Sequence, residues 1–490
     1  MAAAQRLPRG VWPKRGLEAV SLCVILGLAA ALRFGWPGVR QFDFDQAQVS
    51  LAALRTARLG QPATVGMISS AGLPNFPGAA WVYALPFALS ADPLIASLFT
   101  GLLNVLAVLG AWWLARRAWG PWAGFVAGLL LAASPYAVFF SRDIWAQDLL
   151  IPLAILWACA AVVGASTGRG WALALCVAAA GFAPQVHYAG AALLLPTLYL
   201  AVRAGWWRRW RPMLAGWLAA GWLAAPFVYT VWCCRPDILG QFQAAGGGWQ
   251  IASLSLRHLA EAGLGLNWEW YLLGPQGAGA TGLTGALRLT QGALAVGIAA
   301  GLALLIRDDW RQRGAGPDEA RAATMLVPAW ALAAPLLFLA SSGPVHLHYQ
   351  LASLPALCLA VGALAGRPAG RVVVVILALG VAGVQAAAMA RALDLAGREA
   401  WPGGLGTPLE WPRAAARAVR DGRPVVVHAA GDEAETVGEV AGLCKSNPTA
   451  ADRIVNIIDY FSPSSIYCSY FQNRIRGYPF NAEYSPRCFE

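Results

Sequence analysis

Residues 94–140 read LIASLFTGLLNVLAVLGAWWLARRAWGPWAGFVAGLLLAASPYAVFF. Two apolar runs, 94–115 and 121–140, flank a short turn that holds Arg116 and Arg117. A helix needs roughly 20 residues to cross about 30 Å of hydrocarbon, so each run is long enough to span a bilayer. Ala, Leu, Gly and Val dominate both, and small residues let helices approach closely where lipid supplies no hydrophobic drive for association. The stretch therefore reads as a transmembrane hairpin.

The same pattern recurs along the 490 residues, which are 58% hydrophobic and 12% charged with a mean hydropathy of +0.53. A soluble domain carries about a quarter charged residues, so water is not the main solvent here. Spans are expected near 17–35, 94–115, 121–140, 149–167, 171–186, 189–203, 213–233, 286–306, 323–341, 350–366 and 371–390. The fold class is thus an all-α polytopic membrane protein with about eleven transmembrane helices.

A net charge of +11 raises the question of nucleic acid, but the basic residues sort by side of the membrane instead of forming a patch. Arg6, Arg9, Lys14 and Arg15 precede the first span and make the N-terminus cytoplasmic. Arg116 and Arg117, Arg169, Arg203 to Arg211, Arg307 to Arg321, and Arg367 with Arg371 then fall in alternate turns on that side. The alternation requires Ala79 to Ser90 to be a short juxtamembrane helix at the outer face and not a span. The cluster Arg203 to Arg211, interleaved with Trp, reads as an interface anchor, and no nucleic-acid partner is expected. The first apolar run is long and lacks a small-x-small site after it, unlike a cleaved signal peptide.

Three outer segments are long enough to do chemistry: 36–93, 234–285 and everything after Arg391. Residues 1–390 form the transmembrane domain and 391–490 an extracytoplasmic C-terminal region. A helical Ala-Arg pattern over 413–432 runs into Pro424-Val425-Val426-Val427-His428, which has the look of a buried strand, so a small α/β unit is one reading of its start. From 444 to 490 the composition changes abruptly, and Cys444, Cys468 and Cys488 lie in that tail. Either two of these cysteines pair in an oxidising compartment or the tail is a little-structured extension.

Four polar clusters share the outer face. Gln41-Phe42-Asp43-Phe44-Asp45-Gln46 follows span one, and Ser141-Arg142-Asp143-Ile144-Trp145-Ala146-Gln147-Asp148 joins spans three and four. Gln185-Val186-His187-Tyr188 ends the fifth span, and His346-Leu347-His348-Tyr349 precedes the tenth. Each histidine taken alone is an interfacial hydrogen-bonding residue, and the His346/His348 pair lacks a third ligand for a metal.

The order of these pieces resembles the polytopic glycosyltransferases of the C-type superfamily, especially the branch of protein O-mannosyltransferases and lipid A aminoarabinose transferases. The residues that carry the resemblance are Asp45-Gln46-Ala47, Leu73-Pro74-Asn75-Phe76-Pro77, Leu114-Ala115-Arg116-Arg117-Ala118-Trp119-Gly120, Ser134-Pro135-Tyr136, Ser141-Arg142-Asp143, Gln185 to Tyr188, and His348-Tyr349-Gln350-Leu351 with Leu354-Pro355-Ala356-Leu357. Together they cover roughly residues 15–390. Gln46 departs from the second carboxylate common in the family, and His348 stands where an Arg often precedes the Tyr.

The resemblance implies transfer of a sugar from a polyprenyl-phosphate donor to an acceptor hydroxyl on a lipid, glycan or protein at the outer face. Asp45, with Asp43 as second choice, is the expected general base. Arg142, Asp143, Asp148, His187, Tyr188, His346, His348 and Tyr349 are the expected substrate-binding residues, with Arg142 and Arg257 as candidates for the phosphate. Asp143 and Asp148 equally suit a salt bridge that closes the turn. No cofactor or metal follows from these residues, although divalent cations support some relatives. A transporter or lipid flippase is the main alternative, but the acids lie at span ends and not at the midplane where transporters carry them. Many Ala, Gly, Arg and Trp with almost no Lys point to a bacterial plasma membrane and its cell envelope.

Overall fold

The computed structural model describes residues 15–68, 73–234, 253–312, 318–338 and 345–398, with most positions of 401–410 and Arg413, Ala414 and Arg417 beyond them. The expected strand at 424–428 and the tail from 444 lie outside the described residues. In chain order the helices are α1 (Arg15–Phe34), α2 (Phe44–Arg58), α3 (Gly78–Leu89), α4 (Pro93–Trp119), α5 (Pro121–Ala133), α6 (Pro135–Phe139), α7 (Leu150–Thr167), α8 (Gly170–Val186), α9 (Leu194–Arg203), α10 (Trp210–Tyr229), α11 (Ser253–Leu264), α12 (Glu269–Leu273), α13 (Thr284–Arg311), α14 (Glu319–Ala331), α15 (Ala333–Phe338), α16 (Leu354–Ala365) and α17 (Arg371–Arg398). Among the described residues there is no sheet; two isolated antiparallel bridges join Gln41 to Pro408 and Ile68 to Pro74.

Seven helices are long and apolar enough to cross a membrane, the segments Gly16–Phe34, Pro93–Trp119, Ala146–Thr167, Trp206–Cys234, Thr284–Arg311, Glu319–Phe338 and Arg371–Arg398. The other expected spans coincide with shorter apolar helices, Pro121–Ala133, Gly170–Val186, Tyr188–Arg203 and Leu354–Ala365. Gly78–Leu89 is the short helix that the charge alternation requires. It packs on α2, α4 and α8.

Local chemistry explains the boundaries. Asp92 caps α4 by accepting the Leu94 N–H at 2.9 Å, and Pro93 occupies the first turn, where its missing N–H costs nothing. At the other end Gly120, with φ +97°, turns the chain directly into α5, which again begins with a proline. The arginines of that turn are tied to the first turns of other helices, Arg116 to Glu18 and Arg117 to Glu319 at 2.8 Å. The expected span 121–140 is broken: α5 stops at Ala133, and α6 restarts at Pro135. Proline disfavours a helical residue before it and has no N–H for the ladder, so Ser134 leaves the α conformation with ψ 121°. The tenth expected span also starts late, at Leu354, with Pro355 in its first turn where the missing N–H costs nothing, and residues 347–350 form a 3-10 turn instead.

Close packing depends on glycine at two crossings. A Cβ on Gly301 of α13 would lie 2.2 Å from the Ala360 carbonyl oxygen on α16, and one on Gly216 of α10 2.5 Å from that of Ala174 on α8. Backbone-to-backbone contact of this kind is how apolar helices gain dispersion energy in lipid. Some buried polar groups pair across the bundle, as where the Trp157 indole donates to Thr197 Oγ1 at 2.8 Å.

Candidate functional site

The C-terminus of α1 leaves carbonyls without intrahelical partners. Arg142 takes them: its guanidinium donates to the oxygens of Leu32 at 2.6 Å, Gly35 at 2.9 Å, Trp36 at 3.0 Å and Val39 at 3.0 Å. Arg40 donates to the carbonyls of Arg142 and, at 2.8 Å, Arg33, and Arg33 donates to that of Ala132 at 3.0 Å. These three arginines are 1%, 0% and 2% exposed for Arg33, Arg40 and Arg142. Burial lowers Arg142 to about 9, with Arg40 adding repulsion, and lowers Arg40 to about 10 against the attraction of Asp143. The Nη donors of Arg142 are thereby taken up by the framework under the first loop.

Asp143 is the carboxylate facing this arginine set, and it accepts the Gln41 N–H at 2.8 Å. Burial raises it, while Arg40 and Arg142 pull it down. The Gln41 side chain donates to Asp43 Oδ2 at 2.8 Å. Asp43 is the N-cap of α2, and its N–H is answered by Gln46 Oε1 at 3.0 Å. The glutamine that departs from the family pattern is therefore the third residue of a capping box, a position that Gln and Glu both suit.

Asp45 lies in the first turn of α2, where the helix dipole favours an anion. Its Oδ2 accepts the Trp145 indole N–H at 3.1 Å. Burial raises the carboxyl to about 6; the Trp145 hydrogen bond opposes this and Asp43 adds to it. A carboxyl with that value changes charge just below neutrality, which suits a general base.

Trp145 links Asp45 to the histidines. Its ring lies 6.1 Å from that of His348, and Phe140 flanks it at 6.2 Å. His348 is 5.5 Å from His187, 5.4 Å from a parallel His346 and 4.7 Å from Tyr349, ring centre to ring centre. His187 Nδ1 accepts the Ala189 N–H at 3.2 Å, so its neutral ring carries the proton on Nε2. Burial and the neighbouring His346 lower His187 to about 4. Burial, then the other histidines, also lower His348 and His346.

Two expected residues stand apart from this group. The Tyr188 hydroxyl donates to the Pro74 carbonyl and braces the loop before α3. Asp148 is 1% exposed, its carboxylate oxygens have no partner among the described residues, and its backbone carbonyl accepts Asn104 Nδ2 at 3.1 Å. Asp45, His187, His346, His348 and Tyr349 come together, while Arg142, Asp143 and Asp43 form the layer that supports the loop carrying Asp45.

Three contributors were not among the expected site residues. Trp145 sat in plain view inside the 141–148 cluster, but nothing local marks it as the partner of a residue a hundred positions earlier. His258 Nε2 donates to the Val345 carbonyl at 3.1 Å and its Nδ1 lies 2.7 Å from Glu261 Oε2, and Arg257 binds the other Glu261 oxygen at 3.0 Å. The i, i+3 spacing of His258 and Glu261 on an outer-loop helix was the available signal. Third, the segment after α17 laces the outer loops together. Leu409 N–H binds the Arg40 carbonyl at 2.7 Å, Leu405 N–H that of Leu272 at 3.1 Å, and Arg413 pairs with Asp92 at 2.6 Å. Gly406, with φ +77°, passes so near Asp43 that a Cβ would lie 2.3 Å from Oδ2.

An apolar cavity of about 780 Å³ opens between α1 and α17, lined by Leu28, Ala31, Leu32, Phe34, Trp36, Ala386 and Ala390. Among the described residues no group of three or more His, Cys, Asp or Glu side chains is placed to hold a metal ion.

A family model described as dolichyl-phosphate-mannose-protein mannosyltransferase matches residues 74–233. No curated protein matches the chain in sequence. The crystal structure of ArnT from Cupriavidus metallidurans bound to undecaprenyl phosphate is similar at a TM-score of 0.51 and 13% identity, over 85% of this chain and 81% of that one. ArnT from the same organism in the apo state aligns at a TM-score of 0.50 and 17% identity, over 91% and 74% of the two chains. The motifs, the segment match and the helical architecture agree: this chain has the membrane fold of the C-type polytopic glycosyltransferases.

Proposed function

We propose that the protein is a membrane glycosyltransferase that moves a sugar from a polyprenyl-phosphate donor to an acceptor hydroxyl at the outer face of the membrane. The observation that carries the reading is Asp45, half-buried beside Trp145 and raised to about 6, next to a cluster of imidazoles on this fold. Asp45 takes the acceptor proton as the hydroxyl oxygen attacks the anomeric carbon, a contribution typically worth about 10²–10⁴ in rate. The bond from that carbon to the phosphate oxygen breaks, its electron pair stays on the lipid phosphate, and a single displacement inverts the centre. Asp43 positions the loop through Gln41 and the Gly406 segment.

A lipid-linked donor is consistent with the similar structure that holds undecaprenyl phosphate. The apolar cavity beside Trp36 has the chemistry of an isoprenoid chain, and its rim backbone is held by Arg142. The transporter alternative is not favoured by the fold.

The test is turnover of radiolabelled polyprenyl-phosphate sugars by the purified protein in lipid, with Asp45→Asn and Asp43→Asn compared. Asp45→Asn is expected to abolish transfer in a folded protein, and Asp43→Asn to reduce it. Full activity in Asp45→Asn removes the assigned base; no turnover with any donor across a broad acceptor panel removes the transferase.

A further inference from the structure

The site adjoining Asp45 has many imidazoles and little fixed positive charge. Four of the five histidines in the chain gather there, His187 from the end of α8, His346 and His348 from the turn before α16, and His258 from α11. The buried arginines beneath the first loop spend their Nη donors on backbone carbonyls, as described above, while the Nε–H groups of Arg33 and Arg40 are buried without a partner among the described residues. Arg257 faces solvent, its side chain 69% exposed, and binds Glu261. The other titratable groups facing the cluster are Asp45 behind Trp145, Glu261 behind His258, Tyr349, and Tyr271, whose ring is 6.1 Å from Phe140.

Such an arrangement is unfavourable by itself. His346 and His348 stack in parallel at 5.4 Å, so two imidazolium charges there repel. His346 Nε2 is buried and has no partner among the described residues. A buried polar atom left unmade costs about 1–3 kcal/mol, which a bound acceptor removes. An anion seated among these rings satisfies that nitrogen and turns the mutual repulsion into attraction, because protonated imidazoles make charge-assisted hydrogen bonds to phosphate. The glycosyltransferase reading supplies such an anion, and this inference rests on that reading.

We propose that His187, His346 and His348 form a phosphate-binding site that takes up a proton when the donor's phosphate binds. Burial and the neighbouring His346 hold His187 down at about 4, and burial with the other histidines lowers His346 and His348 as well, so these rings favour the neutral form until an anion faces them. A phosphodiester donor brings one negative charge, which raises the imidazoles and draws one proton from solvent. Transfer then leaves a phosphate monoester with a second negative charge as the sugar's bond to oxygen breaks. The imidazolium already in place stabilises that charge where it develops. His348 thus acts as a cation that arrives with the substrate.

The experiment is binding of a polyprenyl phosphodiester, whose phosphate carries one fixed charge over the range, to the full-length protein in lipid nanodiscs from pH 6 to pH 8. Calorimetry in two buffers of different ionisation enthalpy counts the protons. The Asp45→Asn protein is used alongside wild type, since a nearby anion also draws a proton to Asp45. Expected is uptake of about one proton in both proteins, with affinity rising about tenfold for each unit the pH falls, the limit for one coupled proton. His348→Gln removes the pH dependence and weakens binding. His348→Arg, with a permanent charge, restores binding without it. Inorganic phosphate is the second probe: equal affinity for it makes this a general phosphate site, and much weaker binding ties it to the lipid.

Binding that is independent of pH, or unchanged in His348→Gln and His346→Gln, overturns the proposal even if transfer proceeds. Proton-coupled binding with no turnover of any sugar donor leaves the phosphate site standing and removes the transferase.

Discussion

Replacing Trp145 with Phe keeps an aromatic ring between Phe140 and His348 but deletes the indole N–H that Asp45 accepts at 3.1 Å. That hydrogen bond holds Asp45 below where burial alone would put it. Hydrogen bonds to charged groups contribute about 1.5–3 kcal/mol, and this one is long, so its loss raises the carboxyl by about one pH unit at 1.36 kcal/mol per unit. From the wild-type value of about 6, the base moves to about 7. At pH 8 both proteins are then about fully ionised, at pH 7 roughly nine-tenths against one-half, and at pH 6 roughly one-half against one-tenth. The kcat/KM profile for transfer between pH 5 and 8.5 should therefore show its acid limb displaced upward, with a loss of about fivefold at pH 6 that vanishes by pH 8. A uniform loss at every pH makes Trp145 a packing residue only. An acid limb that stays put or moves downward refutes the assigned contact or the identity of the base.

Asp45→Asn should stabilise the fold while ending turnover. A carboxyl raised from 3.8 to about 6 favours folding most below its unfolded value, and that contribution is lost as pH rises through about 6. The amide removes the loss, at most about 3 kcal/mol before discounting for solvent screening, so thermal unfolding should shift upward at pH 8 and not at pH 4. Arg142→Lys replaces a planar fork bound to four carbonyls with a point charge, and it should destabilise by about 2–4 kcal/mol in thermal unfolding. An unchanged midpoint with lost donor affinity means that Arg142 reaches the ligand. Gly406→Ala forces a left-handed residue and a 2.3 Å contact onto Asp43, so kcat should fall about tenfold, measured by the same transfer assay; wild-type turnover would show that Asp43 tolerates displacement.

Several features of this protein are legible in its sequence alone. Apolar length is a local property, so the apolar helices lie at nearly the positions read from the sequence, and the short helix at Gly78–Leu89 is the one that the sorting of Arg116, Arg117 and their counterparts requires. Asp45, His187, His346, His348 and Tyr349 were legible as candidates because polar groups at span ends on one side must share a surface. Even Pro135 was visible, yet a hydropathy run does not register a break that costs one ladder hydrogen bond, and so α5 and α6 read as one span.

Partnership over long sequence separation is what only the tertiary structure decided. Arg142 beside acids reads as a phosphate ligand, but its donors end on carbonyls at the exit of α1, because a buried helix terminus needs donors more than a distant ligand does. The composition of Trp145 and of Leu405 to Leu409 carries no mark of function. Each matters through one hydrogen bond to a segment far away in sequence, Trp145 to Asp45 and Leu409 to Arg40. Sequence periodicity determines which solvent a segment prefers and how long it runs; only packing determines which polar atoms meet, and in this protein those meetings set the protonation of the site.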